Sequence, residues 1–273
     1  MSGIVGRRAV VAGLVLAVAA AGGAAPESWS AGVPDELAGV RELWRGELGV
    51  ARGERALVAG QRADPGLLAD LARRADAAGR RVSGVLGRPV RPLVLVPASG
   101  EQAARLAGVA DVRGLAAVAD GQRVIVVPEG FARLNPTGRD VVLAHELTHV
   151  AAGTDGLPGW LYEGFADYVA YRDAGLAVTV AAAELAAEVR AGRLPDELPG
   201  AGDFGSRGDA LARAYQEAWL ACRFLAESAG EGTLVRLYRD AQSVGTDRAL
   251  AARGLTLGGL TRGWRAYVRD QLG

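Results

Sequence analysis

His145-Glu146-Leu147-Thr148-His149, followed after a short loop by Trp160-Leu161-Tyr162-Glu163-Gly164-Phe165-Ala166-Asp167-Tyr168, is the stretch from which the rest of the chain is read. It contains both of the chain's 2 histidines. Apolar spacing predicts a helix over Asp140 to Ala151, where positions four apart differ by only about 40° and about 6 Å of rise. Both imidazoles therefore reach one metal ion from the same face. Glu146 is turned by about 100° from His145 and does not join them as a ligand. It lies instead where a general base acts on a water activated by the metal. The single cysteine, Cys222, excludes an intrachain disulfide framework and any multi-cysteine zinc or iron–sulfur site. A metal here must be held by histidine and carboxylate.

Zinc with two imidazole nitrogens needs one more protein ligand to keep a fourth position open. The next predicted helix, Gly159 to Arg172, carries Glu163 and Asp167 four apart and so on one face. An isolated pair of this kind is usually a solvated helix face. Inside an apolar and aromatic segment just after H-E-x-x-H, Glu163 reads as the third ligand and Asp167 as the acceptor that fixes a histidine tautomer. Between the helices, Ala152 to Pro158 holds Gly153, Asp155 and Gly156, room enough for the chain to reverse.

Outward from this pair, the chain after Pro136 reads as almost wholly helical: Val178 to Ala191, Arg207 to Ala229, Gly232 to Gln242, Asp247 to Ala252 and Leu257 to Leu272 follow. The Gly- and Pro-rich stretch Gly192 to Gly208 reads as a mobile surface loop. Before Pro136, Leu93 to Val96 predicts a strand and Gly100 to Leu106 a helix. Gly114 to Ala119 and Gln122 to Val127 predict a hairpin turning at Asp120-Gly121. Pro34 to Leu86 has helical spacing, with Leu37, Val40, Leu43 and Trp44 on one helix. Leu67, Leu68, Leu71, Ala75 and Val82 lie on a second, after Asp64-Pro65-Gly66. Two helices thus precede any strand, and the fold class is α+β with a small antiparallel sheet followed by a mainly helical domain. Trp44, Trp219 and Trp264 fall at apolar helical positions and read as core, with Trp160 under the metal site.

At the N-terminus, Arg7 and Arg8 precede an uncharged run, Ala9 to Ala21, with an A-x-A site at Ala19-Ala20-Ala21. Residues 1–25 are therefore expected to be a signal peptide or membrane anchor, and the protein to be exported to the cell envelope or medium. Membrane association is expected through this segment alone. No cysteine follows it, so a lipid-anchored N-terminus is excluded. The 31 basic residues are all arginine and match 31 acidic ones, giving no electrostatic case for a nucleic-acid partner.

The residues His145-Glu146-x-x-His149 and Trp160 to Tyr168 resemble the gluzincin metallopeptidases, specifically the bacterial peptidase MA-like domains, over about Leu67 to the C-terminus. That resemblance implies a zincin-like domain over 65–273, and the helical spacing before it leaves 26–64 as a helical extension. It implies one zinc ion held by His145, His149 and Glu163, with Glu146 as base. It also implies a sheet edge that pairs with an extended peptide, placed by position at Gly114, Leu115 and Ala116. The glutamate that aminopeptidases carry on that edge is absent, and the interval from His149 to Glu163 is shorter than in thermolysin-like enzymes. Gluzincins need a donor to the developing oxyanion, and Tyr215 stands where related domains place a tyrosine facing zinc. Its alternative role is a half-buried core tyrosine, with Tyr162, Tyr168 or loop arginines as donors. The expected activity is hydrolysis of a peptide or protein substrate. The contrasting expectation is an inert, zinc-stabilised binding or scaffold module, against which Glu146 argues, since a structural site needs ligands but no base.

Overall fold

The computed structural model describes residues 37–41, 44 and 48–273. The expected export segment, and Leu43, lie outside them. In chain order the elements are α1 (Ala38–Arg41), β1 (Leu48–Arg52), β2 (Leu57–Gln61), α2 (Pro65–Leu86), β3 (Leu93–Val96), α3 (Gly100–Ala107), β4 (Ala117–Ala119) and β5 (Val124–Val126). There follow α4 (Pro128–Phe131), α5 (Pro136–Ala152), α6 (Gly159–Tyr171), α7 (Val178–Ala181) and α8 (Ala183–Arg190). A 3₁₀ turn (Asp203–Gly205), α9 (Asp209–Ala229), α10 (Glu231–Val244), α11 (Thr246–Ala251) and α12 (Leu257–Leu272) complete the chain. The architecture is mixed α/β, a small sheet with a mostly helical remainder. No described helix is long and apolar enough to cross a membrane.

The sheet is not antiparallel as expected. Its order is β1-β2-β3-β5-β4, with β2–β3 and β3–β5 parallel and only the outer pairs antiparallel. Parallel neighbours need a crossover, and α2 supplies it between β2 and β3. Both sheet faces are then covered. Val58, Val94, Val96, Val124 and Val126 face one core with α2, α5 and the C-terminal helices. Leu57, Ala59, Leu95 and Ile125 face a second with α3, Leu37, Val40 and Trp44. Strands buried on both sides read as unbroken apolar runs, as Leu93 to Val96 does, and show none of the alternation that marks a one-sided sheet.

Residues 48–61 form a β-hairpin inside this sheet, which corrects the expectation that two helices precede any strand and that 26–64 is a helical extension. Its turn is organised from a distance. The buried Asp76 carboxylate on α2 accepts the backbone N–H groups of Glu54 (2.6 Å), Arg55 and Ala56 (both 2.9 Å). Gly53 allows this approach, since a Cβ there would lie 2.1 Å from Asp76 Oδ2. The predicted β4–β5 hairpin forms, and Asp120 Oδ1 accepts the N–H of Gln122 and Arg123 across its turn.

Helix starts follow local chemistry. Asp64 caps α2 by accepting from Leu67 N, with Pro65 in the first turn. Asn135 caps α5 by accepting from Gly138 N, with Pro136 next. The motif helix thus begins at Pro136, one turn before the predicted Asp140. Trp160, Trp219 and Trp264 are all buried.

Candidate metal centre

Helix α5 presents His145, Glu146 and His149 toward α6, and all three are buried. Its C-terminal carbonyls are held from outside. Arg88 donates to Ala151 O, Gln242 Nε2 to Ala152 O at 2.9 Å, and Tyr238 OH to Gly153 O. This anchors the last turn, which carries His149, and leaves few orphan carbonyls.

The structure brings Glu163 to the two imidazoles. His145 Nε2 and His149 Nε2 are 3.0 Å apart, and Glu163 Oε2 lies 3.2 Å from the first and 3.4 Å from the second. Ligand atoms about 2.05 Å from a shared tetrahedral centre stand about 3.3 Å from each other. Glu163 Oε2 nevertheless makes no hydrogen bond of good geometry with either ring. The three residues form a buried group able to hold a metal ion.

Asp167 stands behind this group. Its Oδ1 is 2.7 Å from His145 Nδ1, and because a carboxylate only accepts, Nδ1 carries the proton, which in the neutral ring would leave the Nε2 lone pair for a metal ion. His149 Nδ1 has no equivalent partner among the described residues.

The electrostatics fit a cation. Burial works to lower the His145 pKa, but Asp167 and Glu163 outweigh it and hold it well above normal. Burial lowers His149. It would raise Glu163, yet the two imidazoles pull that carboxyl down to about 2. Asp167 is raised by burial, against the pull of His145. Glu146 is pushed up to about 8 by burial, with His145 opposing and Glu163 adding repulsion. Both Glu146 oxygens lack a partner of good geometry among the described residues. Three buried carboxyl groups around two histidines hold protons that a dication would displace, and its field would bring Glu146 down again.

Tyr215, on α9, reaches the site. Its hydroxyl donates to Glu163 Oε1 at a long 3.4 Å, and its ring centroid is 6.2 Å from that of His145. Tyr162 is also near, 6.0 Å from the His149 ring. Tyr168 is turned away and donates to Glu231 Oε2 at 2.7 Å. Sequence reasoning missed what brings α9 this close. A Cβ on Gly164 would stand 2.1 Å from Ala218 O and 2.5 Å from its carbonyl carbon, so glycine in α6 lets two helix backbones touch beside the ligand. The signal was the glycine itself, inside an otherwise bulky Tyr162 to Phe165 segment.

The sheet edge also differs from the expectation. β4 begins at Ala117, after Gly114 (φ 88°), Leu115 and Ala116. Leu115 N–H is spent on Val112 O, its side chain lies in the second core, and Ala116 O accepts from Val127 N. Asp120 N also bonds inward, to Arg123 O. By alternation the backbone groups of Ala117 and Ala119 point away from β5 to the free edge. The Ala119 amide is the backbone donor that acts on Glu146. The free edge therefore faces the motif helix through Ala117 and Ala119, not through 114–116.

No model of a known protein family matches the chain, and no curated protein matches it in sequence.

Proposed function

We propose that the protein is an exported zinc-dependent peptidase. The observation that carries this is the convergence of His145 Nε2, His149 Nε2 and Glu163 Oε2 within 3.0–3.4 Å, with the unsatisfied Glu146 carboxylate buried beside them. Two nitrogens and one carboxylate oxygen suit zinc and leave it a fourth position. When bound there, zinc supplies Lewis-acid polarisation of a carbonyl and a lowered pKa for water.

The remaining work falls to the chain's own groups. Glu146 takes a proton from the attacking water on one carboxylate oxygen and returns it to the leaving amine. Asp167 keeps the proton on His145 Nδ1 and the ring in position. Tyr215 OH, with a pKa raised by burial and nearby carboxylates, stays protonated and can donate to an oxyanion. The backbone of Ala117 and the carbonyl of Ala119 lie on the free edge, open to an extended substrate strand. Export is supported by Arg7-Arg8 and the apolar Ala9 to Ala21, and a protein found in the cytoplasm with its N-terminus intact would refute it.

One observation favours a second reading, an inert zinc-stabilised module: Glu146 and its neighbours are almost wholly shielded from solvent. The deciding experiment is zinc analysis with a mixed-peptide cleavage assay on wild type and Glu146→Gln. A peptidase keeps zinc in both and loses cleavage in the variant. Zinc with no cleavage in either would leave the inert module standing.

A further inference from the structure

Between α8 and α9 the chain from 200 to 210 is exposed on nearly every residue, with one exception. Phe204, on the 3₁₀ turn, is only 8% exposed. The turn's backbone bonds are local: Asp203 N to Gly200 O, Gly205 N to Gly202 O and Ser206 N to Asp203 O. Asp203 Oδ2 also accepts from Gly200 N at 2.8 Å. The turn is thus a preformed unit that sends one aromatic ring into the body.

That ring sits against the metal centre. It packs edge-on to Tyr215, with centroids 5.3 Å apart at 82°, and Tyr215 in turn meets Glu163. On its other side it lies on Gly159, where a Cβ would come within 2.5 Å of Phe204 Cε2. Gly159 opens α6 with an ordinary helical backbone, so its conformation does not require glycine. The missing side chain makes room for the ring. Gly159 and Glu163 are one helical turn apart on the same face, which puts the ring about 6 Å along the helix from the ligand.

We propose that Phe204 fills, from within the chain, a side-chain pocket of the peptidase site, and that the pocket's outside occupant is an aromatic residue next to the bond to be cut. This deepens the peptidase reading and rests on it. An incoming aromatic ring regains the contacts with Gly159 and Tyr215 that Phe204 gives up. The displaced turn keeps its own hydrogen bonds, and its glycines at 200, 202, 205 and 208 let it swing. Small substrates cannot compensate for that displacement, so the plug selects for aromatic ones.

The test uses zinc-loaded full-length protein and two metal-seeking probes, the hydroxamates of N-acetylphenylalanine and N-acetylglycine, with affinity read by calorimetry. Phe204→Ala removes the internal competitor. It should bind the phenylalanine probe about 10- to 100-fold more tightly than wild type, as expected for a vacated aromatic site, and the glycine probe within about threefold. Equal gains for both probes, or none, would overturn the proposal. Should Phe204→Ala fold poorly, the wild type gives a second readout. Tryptic cleavage after the exposed Arg207 should speed up several-fold with the phenylalanine probe but not with the glycine probe, and an unchanged rate would overturn the proposal. Failure of the underlying reading looks different: zinc would then bind with no peptide cleaved and with neither probe bound, or zinc would not bind at all, and this inference would fall with it.

Discussion

Replacing Gly164 by alanine sets two effects of opposite sign against each other. In a helix interior, alanine is favoured over glycine by about 0.8–1.0 kcal/mol. Against this, the new Cβ would lie 2.1 Å from Ala218 O and 2.5 Å from its carbonyl carbon. Ordinary contact begins near 3.4 Å, so α9 must recede by about 1.3 Å. Both partners are helix backbone, and no rotamer change relieves the overlap. Overpacking of this kind costs about 1–3 kcal/mol, which leaves a net loss of up to about 2 kcal/mol after the propensity gain. The shift also carries Tyr215, one helical turn from Ala218, away from Glu163, a contact already 3.4 Å long. Urea unfolding of wild type, Gly164→Ala and Gly84→Ala would read the effect. Gly84 is the control, exposed on α2 with nothing closer than 3.9 Å to an added Cβ, and its alanine should stabilise. If Gly164→Ala unfolds at or above the wild-type midpoint, α6 and α9 are not in backbone contact at this point.

Asp167→Ala should weaken zinc binding about 10- to 100-fold without abolishing it, as measured by competition with a chromogenic chelator; unchanged affinity would remove Asp167 from the site. Tyr215→Phe should lower kcat by about 10² to 10³ with little change in KM if the hydroxyl donates to the oxyanion, and a normal kcat would make Tyr215 a packing residue. Glu217 is pushed up to about 7 by burial, with Asp203 adding repulsion and Arg213 opposing. A carboxyl with a raised folded pKa costs nothing below about pH 4.5, and stability is lost as pH rises toward 7. Glu217→Gln should therefore stabilise the protein by on the order of 2 kcal/mol more at pH 8 than at pH 4. A pH-independent difference between the two unfolding curves would contradict this.

Asp64-Pro65, Asp120-Gly121 and His145 to His149 were legible because each feature is local. A cap, a turn and an i, i+4 pair are complete within a few residues, and backbone geometry does the rest. The β1–β2 hairpin was not legible. Leu48 to Gln61 is rich in alanine and glycine, and its turn is held by Asp76, from the helix that follows. The parallel pairing of β2, β3 and β5 was hidden for a related reason: an apolar run such as Val124 to Val127 looks the same in either direction, and the crossover decides.

The candidate ligands and base follow from the sequence alone, since residue type and helical spacing determine which side chains share a face. Whether Glu163 meets the histidines, and whether Tyr215 meets Glu163, depends on how α6 lies between α5 and α9. That is a matter of close packing between distant segments, decided by the bare backbone at Gly164 and the tethers on the last turn of α5. The seat of Phe204 between Gly159 and Tyr215 is likewise a tertiary fact. A lone aromatic in a glycine-rich loop carries no periodicity, and only the folded chain supplies the surface on which it is buried.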